Sequence, residues 1–413
     1  MRRLLFIFSF LSLLVVDGKA QEVETLTLED CLRIGIDNNL SLEGKRKEIQ
    51  KSKYGVSENR SKLLPQITVI AGYNNNFDPP VSVTDGSSYG VPYNITKTLQ
   101  HTANAGLEMQ MPLFNQTLYT SMSIAKVMEE ISRLSYGKAR EDIIMQISKM
   151  YYLGQVTAEQ IVLIKANITR LEELRDITQA FFDNGMSMEV DLKRVNINLE
   201  NLKVQYDNAQ AMMKQQLNML KYIMDYPAEK EFVLTPVNTD SITTVALTGL
   251  SENIYELQLS QSQVQLAEKQ KKIISNGYIP SLSLTGSWRY AAYTDKGYHW
   301  FHSGPSNHWF RSYGLGLTLR IPIFDGLDKT YKIKKAMIDI ENSKLAWENA
   351  RKSLQTQYLN AVNDLMNNQR NFKKQKDNYL LAEDVYTVTS DRYREGIASM
   401  TEVLQDEMQM RCV

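Results

Sequence analysis

Gly106-Leu-Glu-Met-Gln-Met-Pro-Leu-Phe114 returns 210 residues later as Gly316-Leu-Thr-Leu-Arg-Ile-Pro-Ile-Phe324. Further out, the two copies stay in step. Leu64-Pro65 ahead of Ile67-Thr-Val-Ile-Ala-Gly-Tyr73 answers to Ile279-Pro280 ahead of Leu282-Ser-Leu-Thr-Gly-Ser-Trp288, with the prolines 215 apart. Phe182-Asp-Asn-Gly-Met-Ser187 answers to Tyr393-Arg-Glu-Gly-Ile-Ala398, with the glycines 211 apart. Three anchors in one order at nearly one offset make the chain two copies of a unit of about 210 residues.

Each copy carries one β-hairpin. In the second, Leu282, Leu284, Gly286, Trp288 and Tyr290 alternate with Ser281, Ser283, Thr285, Ser287 and Arg289. Its partner strand sets Tyr313, Leu315, Leu317, Leu319, Ile321 and Ile323 against Gly314, Gly316, Thr318, Arg320 and Pro322. Period-two alternation of this kind predicts strands with one apolar and one polar face. The first copy repeats it more weakly through Ile67, Val69, Ala71 and Tyr73, then Leu107, Met109, Met111 and Leu113. Each strand is expected to run about 10 residues, enough to cross a bilayer when tilted. The inter-strand stretches, 74–101 and 295–310, read as long polar loops. Phe77, Tyr293, Trp300, Phe301 and Trp309 fit one aromatic girdle, and Phe114 and Phe324 the other.

After each hairpin comes a long stretch without proline, 73 residues from Pro112 to Gly185 and 74 from Pro322 to Gly396. Ile161, Ile164, Ile168, Leu171, Leu174, Ile177 and Phe181 recur at helical spacing, and Ile333, Ala336, Ile340, Ser343, Trp347 and Ala350 keep a heptad rhythm. A helix of about 68 residues is about 100 Å long. Two such rods do not fold over a small soluble sheet, which is the competing reading of the hairpins.

Composition agrees. The 413 residues hold 47 basic and 47 acidic side chains, so no net field steers nucleic acid, and none is expected as a partner. Hydrophobic residues are 43%, and 10 Pro with 20 Gly leave few helix breakers. Two cysteines, Cys31 and Cys412, exclude a disulfide framework. His299, His302 and His308 cluster in the second inter-strand loop, but no Cys or acid pattern completes a metal site. No nucleophile elbow, zinc-protease motif, P-loop or dinucleotide fingerprint is present, so neither an enzyme nor a cofactor is expected. Met1-Arg2-Arg3, the apolar run Leu4 to Val16, and small Gly18 and Ala20 before Gln21 read as a secretory signal peptide.

The expected plan is then a signal peptide at 1–20, an N-terminal helix within 21–64, running 27–62, and a first membrane β-hairpin at 65–113. A long helix pair follows at 114–224 with its tip turn at 183–188, then a linker at 225–250 and a helix at 251–279. A second membrane β-hairpin occupies 280–324, and 325–413 holds a long helix, a tip turn at 394–399 and a shortened returning helix. From Gly185 the first copy runs 40 residues to Asp225, whereas only 17 follow Gly396, and a chain ending there is expected to assemble poorly. Four strands cannot close a transmembrane barrel, whose minimum is about eight. Open edges in lipid leave backbone groups unpaired at several kcal/mol each. Closure therefore requires copies, with eight strands in a dimer and twelve in a trimer.

The opening Leu26-Thr-Leu-Glu-Asp-Cys-Leu-Arg-Ile-Gly-Ile-Asp-Asn-Asn39, the Leu-Pro before the first strand, the Pro-Leu-Phe and Pro-Ile-Phe-Asp-Gly after the hairpins, and the duplicated glycine turns resemble the TolC-like outer membrane efflux proteins. The resemblance spans nearly the whole chain beyond the signal peptide. It implies a mixed α and β fold, with long helical hairpins forming a periplasmic α-barrel. It implies that the two β-hairpins contribute four strands to a trimeric 12-stranded outer-membrane β-barrel. The expected location is the outer membrane of a Gram-negative bacterium, extending into the periplasm. The implied function is the exit channel of a tripartite efflux system, passively conducting small molecules. An inner-membrane transporter would supply the energy and a periplasmic adaptor would dock on the tube's far tip. The same duct serving type I protein secretion is the alternative, and a periplasmic coiled-coil scaffold without a pore is a third reading.

Site expectations follow. Gly185 and Gly396 permit the left-handed backbone of a helix-hairpin turn. The tips, Asn184, Gly185, Met186 and Ser187, with Glu395, Gly396, Ile397 and Ala398, are the expected adaptor contacts. Six residues beyond each glycine stands an acid, Asp191 and Glu402. Repeated in a trimer, these would form carboxylate rings that favour cations at a constriction. The plainer reading is an acid stabilised at a helix N-terminus.

Overall fold

The computed structural model describes residues 24–97, 99–237, 251, 253–294 and 309–412. The signal peptide at 1–20, linker residues 238–250, the histidine trio, Trp300 and Phe301 lie outside the described residues. In chain order the elements are β1 Glu24–Leu26, α1 Leu28–Asn38, α2 Leu40–Ser61, β2 Gln66–Asn75, β3 Val81–Asp85, β4 Tyr93–Lys97 and β5 His101–Phe114. There follow α3 Gln116–Asp183, α4 Glu189–Met224, β6 Phe232–Leu234, α5 Tyr255–Asn276, β7 Ser281–Thr294, β8 Trp309–Arg320, α6 Asp328–Arg394 and α7 Met400–Cys412. The described residues divide into two compact units, one from those within 1–42, 140–247 and 364–413, the other from those within 43–139 and 248–363. The helices α3 and α6, of 68 and 67 residues, each supply both units.

In the first unit, α1 starts at a capping box. Thr27 Oγ1 accepts from the Asp30 backbone N–H at 3.2 Å, and Asp30 Oδ2 accepts from the Thr27 N–H at 3.3 Å. The single helix expected over 27–62 is broken at Asn39. Its side-chain amide donates to the Ile223 carbonyl at 2.8 Å, and its Oδ1 accepts from the Leu42 N–H at 3.1 Å. One side chain thus caps α2 and ties it to the C-terminal turn of α4. Neighbouring β1 pairs in parallel with β6, Leu26 facing Leu234. Around them Leu26, Cys31, Ile147, Tyr151, Leu220 and Met224 form a buried core. The Tyr151 hydroxyl donates to the Leu26 carbonyl at 3.2 Å, and the Gln155 amide to the Thr235 carbonyl at 2.6 Å.

A second core in this unit holds Leu171, Leu174, Val195, Leu199, Tyr393 and Val403 of α3, α4, α6 and α7. Burying a Leu completely is worth about 1.5–3 kcal/mol. Leu171 and Leu199, at 0% and 2% exposure, are therefore main anchors of these helices.

The second unit contains a four-stranded antiparallel sheet in the order β2-β5-β7-β8. Each hairpin joins strands of one repeat, and the central β5–β7 pair joins the two repeats. The strands β5, β7 and β8 exceed the expected ten residues, at 14, 14 and 12. Central pairing accounts for β5 and β7, because each has a partner on both sides to extend against. The expected loop at 74–101 also differs, since β3 and β4 pair inside it as an antiparallel ribbon. Asp85 Oδ1 accepts from the Ser87 N–H at 2.9 Å, and Gly90 turns the chain at φ +71°. Helices of this unit are held by polar pins. Asn276 donates to Thr120 Oγ1 at 2.6 Å, and Lys138 pairs with Glu256 at 3.0 Å.

The sheet has two unlike faces. Leu107, Met109, Leu284, Leu315, Leu317 and Leu319 share one. Nothing in the described chain covers its β8 side, where Leu315 is 79% exposed and Tyr313 78%. Among the described residues no helix is long and apolar enough to cross a membrane.

Candidate functional site

The two helix-hairpin turns are built alike. At the first, the Gly185 N–H donates to the Phe182 carbonyl at 2.9 Å and the Met186 N–H to the Phe181 carbonyl at 2.8 Å. At the second, the Gly396 N–H donates to the Tyr393 carbonyl at 2.9 Å and the Ile397 N–H to the Arg392 carbonyl at 2.8 Å. This is the Schellman arrangement, which satisfies the last free carbonyls of a helix. It needs a left-handed residue, supplied by Gly185 at φ +71° and Gly396 at φ +76°. The apolar residue following each glycine points into solvent, Met186 at 69% and Ile397 at 62% exposure.

Behind the turns, α3 and α6 are locked together. Phe181 and Tyr393 hold their rings 5.5 Å apart. The Tyr393 hydroxyl donates to Thr178 Oγ1 at 3.4 Å, and Thr178 in turn donates to the Leu174 carbonyl at 2.7 Å. Thr178 is fully buried, so this polar chain is internally satisfied.

The two acids stand differently. Asp191 Oδ1 lies 3.1 Å from Arg194 Nη1, and the same nitrogen reaches Thr401 Oγ1 at 3.5 Å. Glu402 is exposed and reciprocally caps α7. Its Oε2 accepts from the Ser399 N–H at 3.4 Å, and its own N–H donates to Ser399 Oγ at 3.3 Å. Glu402 has no ion pair among the described residues. The structure thus brings Asp191 within one residue's reach of the Glu402 turn, through Arg194. Sequence reasoning passed over Arg194, and took Ser399 as a tip residue without its capping role. Both had a signal: Arg194 is three residues from Asp191 on one helix face, and Ser399-Met-Thr-Glu402 is a capping-box spacing.

Among the described residues no group of three or more His, Cys, Asp or Glu is placed to hold a metal ion. Cys31 is completely buried, and burial pushes its thiol up to about 12, away from nucleophilic chemistry.

A duplicated chain that pairs a two-faced antiparallel sheet with very long helices ending in matched tip turns defines a class of outer-membrane protein. The chain belongs to the outer membrane efflux protein family, whose model matches residues 34–224 and 238–410. It is 21% identical over 316 residues to outer membrane protein TolC of Vibrio cholerae, covering 75% of this chain and 66% of that protein's length. Among solved structures, CusC superposes with a TM-score of 0.77 at 16% identity, over 97% of this chain and 90% of that one. The outer membrane protein VceC of Vibrio cholerae gives 0.72 at 14% identity, over 93% and 89%. The fold is the mixed α and β one of these TolC-like proteins, and the location is the outer membrane, extending into the periplasm.

Proposed function

We propose that the chain is the outer-membrane exit duct of a tripartite efflux system, working as a homotrimer and conducting small molecules passively. The observation that carries this is the four-stranded sheet with a bare apolar face and edge strands β2 and β8 unpaired on their outer sides among the described residues. Lipid would cover the apolar face, and neighbouring copies would satisfy the open edges. Three copies supply twelve strands, comfortably above the minimum of about eight for a barrel. Family membership supports the same reading. On it, the polar sheet face lines the lumen, and energy comes from an inner-membrane transporter. The tips, Asn184 to Ser187 and Glu395 to Ala398, dock a periplasmic adaptor through exposed Met186 and Ile397, and Asp191 and Glu402 lie near the constriction.

The test is mass and conductance in lipid of the purified mature protein, its last helix α7 extended to the length of α4. A trimer that conducts in a planar bilayer is the expected result. A soluble, non-conducting monomer or dimer would mean that the hairpins are not membrane strands, and the duct would be abandoned.

A further inference from the structure

The polar face of the sheet carries charge, and the charge is not balanced. Within the four strands, three ionisable side chains that are charged at neutral pH fall on this face: Glu108 of β5, Arg289 of β7 and Arg320 of β8. The remaining positions of the face are mostly Gln, Asn, Ser, Thr and Gly.

Two of the three cancel. The register sets Gly106 opposite Arg289 and Glu108 opposite Ser287, so Arg289 is the diagonal neighbour of Glu108, and the two form an ion pair. The pair depends on Gly106. A Cβ there would lie 2.9 Å from the Cα and the Cγ of Arg289. Without a side chain at 106, the arginine stem lies flat across β5 and delivers its guanidinium to Glu108.

Arg320 has no such partner. It closes β8, opposite Ser281, and is exposed. The nearest acids along the chain are already engaged: Asp325 with Lys329 at 2.9 Å and Asp328 with Lys332 at 2.7 Å. Among the described residues Arg320 forms no ion pair. The polar face therefore holds one net positive charge per copy, at the end of the sheet that leads into α6.

We propose that Arg320 gives the barrel end of the duct a preference for anions, and that Glu108 limits this preference by masking Arg289. The inference rests on the exit-duct reading, in which the polar face lines the lumen. Cyclic repetition then turns Arg320 into a cationic ring where the barrel begins, a device that selects anions in pores. The solutes favoured at this end are small organic and inorganic anions. The exposed ring is subject to salt screening, with a Debye length of about 10 Å at 0.1 M and about 3 Å at 1 M.

The experiment is the reversal potential of the protein in a planar bilayer across a KCl gradient, at low and high total salt. Wild type is expected to be more permeable to chloride relative to potassium than Arg320→Gln, and the difference should widen at low salt, whatever the carboxylates at the far constriction add to both proteins. Arg320→Gln should lower the chloride-to-potassium permeability ratio by about twofold or more while still conducting, and Arg320→Lys should retain it. Glu108→Gln should raise the ratio by unmasking Arg289. An Arg320→Gln channel with an unchanged ratio overturns the inference and leaves the duct standing. A difference between wild type and Arg320→Gln that does not widen as salt is lowered overturns it as well. Absence of conductance from the wild type removes the duct reading, and the inference with it.

Discussion

Arg194 Nη1 lies 3.1 Å from Asp191 Oδ1 and 3.5 Å from Thr401 Oγ1, so the acid beyond the first tip turn is bridged to the residue beside the acid of the second. Asp191 and Glu402 occupy equivalent places in the two repeats, yet among the described residues only Asp191 has a cation at hand. Replacing both acids with Ala is expected to change cation block or selectivity in single-channel recordings. Glu402→Ala alone should give most of that change, because Arg194 already screens Asp191. If the double variant conducts like wild type, the two carboxylates serve only as helix-end groups.

The tip turns make a second, separable prediction. Gly185→Ala and Gly396→Ala each place a Cβ on a left-handed backbone, at a cost of about 1–2 kcal/mol. Thermal unfolding should begin earlier in both. Met186→Asp with Ile397→Asp adds charge at positions already in solvent, so the assembly should keep its mass while adaptor capture in cross-linking is lost. Retained capture would remove these residues from the proposed docking surface.

Gly35 of α1 packs on Ile147 so closely that an added Cβ would overlap the Ile147 side-chain end, and Ile147 is fully buried. Gly35→Ala should destabilise by about 1–3 kcal/mol through overpacking. Ile147→Val removes the colliding methyl and should recover part of the loss in the double variant. The check is a double-mutant cycle by denaturant unfolding, and simple additivity would show that the two side chains do not meet.

Cys31 should be inert. With its thiol buried and pushed up to about 12, a Cys412→Ser variant should resist maleimide at mildly alkaline pH until the protein is unfolded. Rapid labelling of the native protein would show that α1 opens readily.

Glu407 of α7 is fully buried, paired with Arg411 at 2.8 Å. Burial raises its carboxyl above the ordinary 4.5, outweighing the opposing pull of Arg411 and Arg170. The folded state therefore keeps this proton at a pH where the unfolded chain has released it. The resulting stabilisation is full below the unfolded value and is lost as pH rises through the folded one. Glu407→Gln cannot ionise, so its stability relative to wild type should improve from acid to neutral pH. Parallel melting-temperature profiles for the two proteins would contradict this.

Much of this was legible because it is periodic. The alternation around Leu282–Tyr290 and Tyr313–Leu319 marks strands, since successive side chains in a strand face opposite ways. Proline-free heptads mark the long helices, and glycine marks their turns through its tolerance of positive φ. What stayed hidden depends on partners distant in sequence. Asn39 breaks the first helix because its amide reaches Ile223, 184 residues away. The β1–β6 pair joins segments too short to announce themselves, and the length of β5 and β7 follows from their pairing with each other.

The sequence by itself determined the duplication, the mixed α and β class and the two-faced hairpins, since each is written in local spacing. Only the tertiary structure decided which charges are free. Arg289 and Arg320 look alike in the sequence, and so do Asp191 and Glu402. The fold lays Arg289 across Gly106 onto Glu108 and sets Arg194 beside Asp191, leaving Arg320 and Glu402 without ionic partners among the described residues. Charge neutralisation depends on distances of a few ångströms across strands and helix turns, and those distances exist only once the chain has folded.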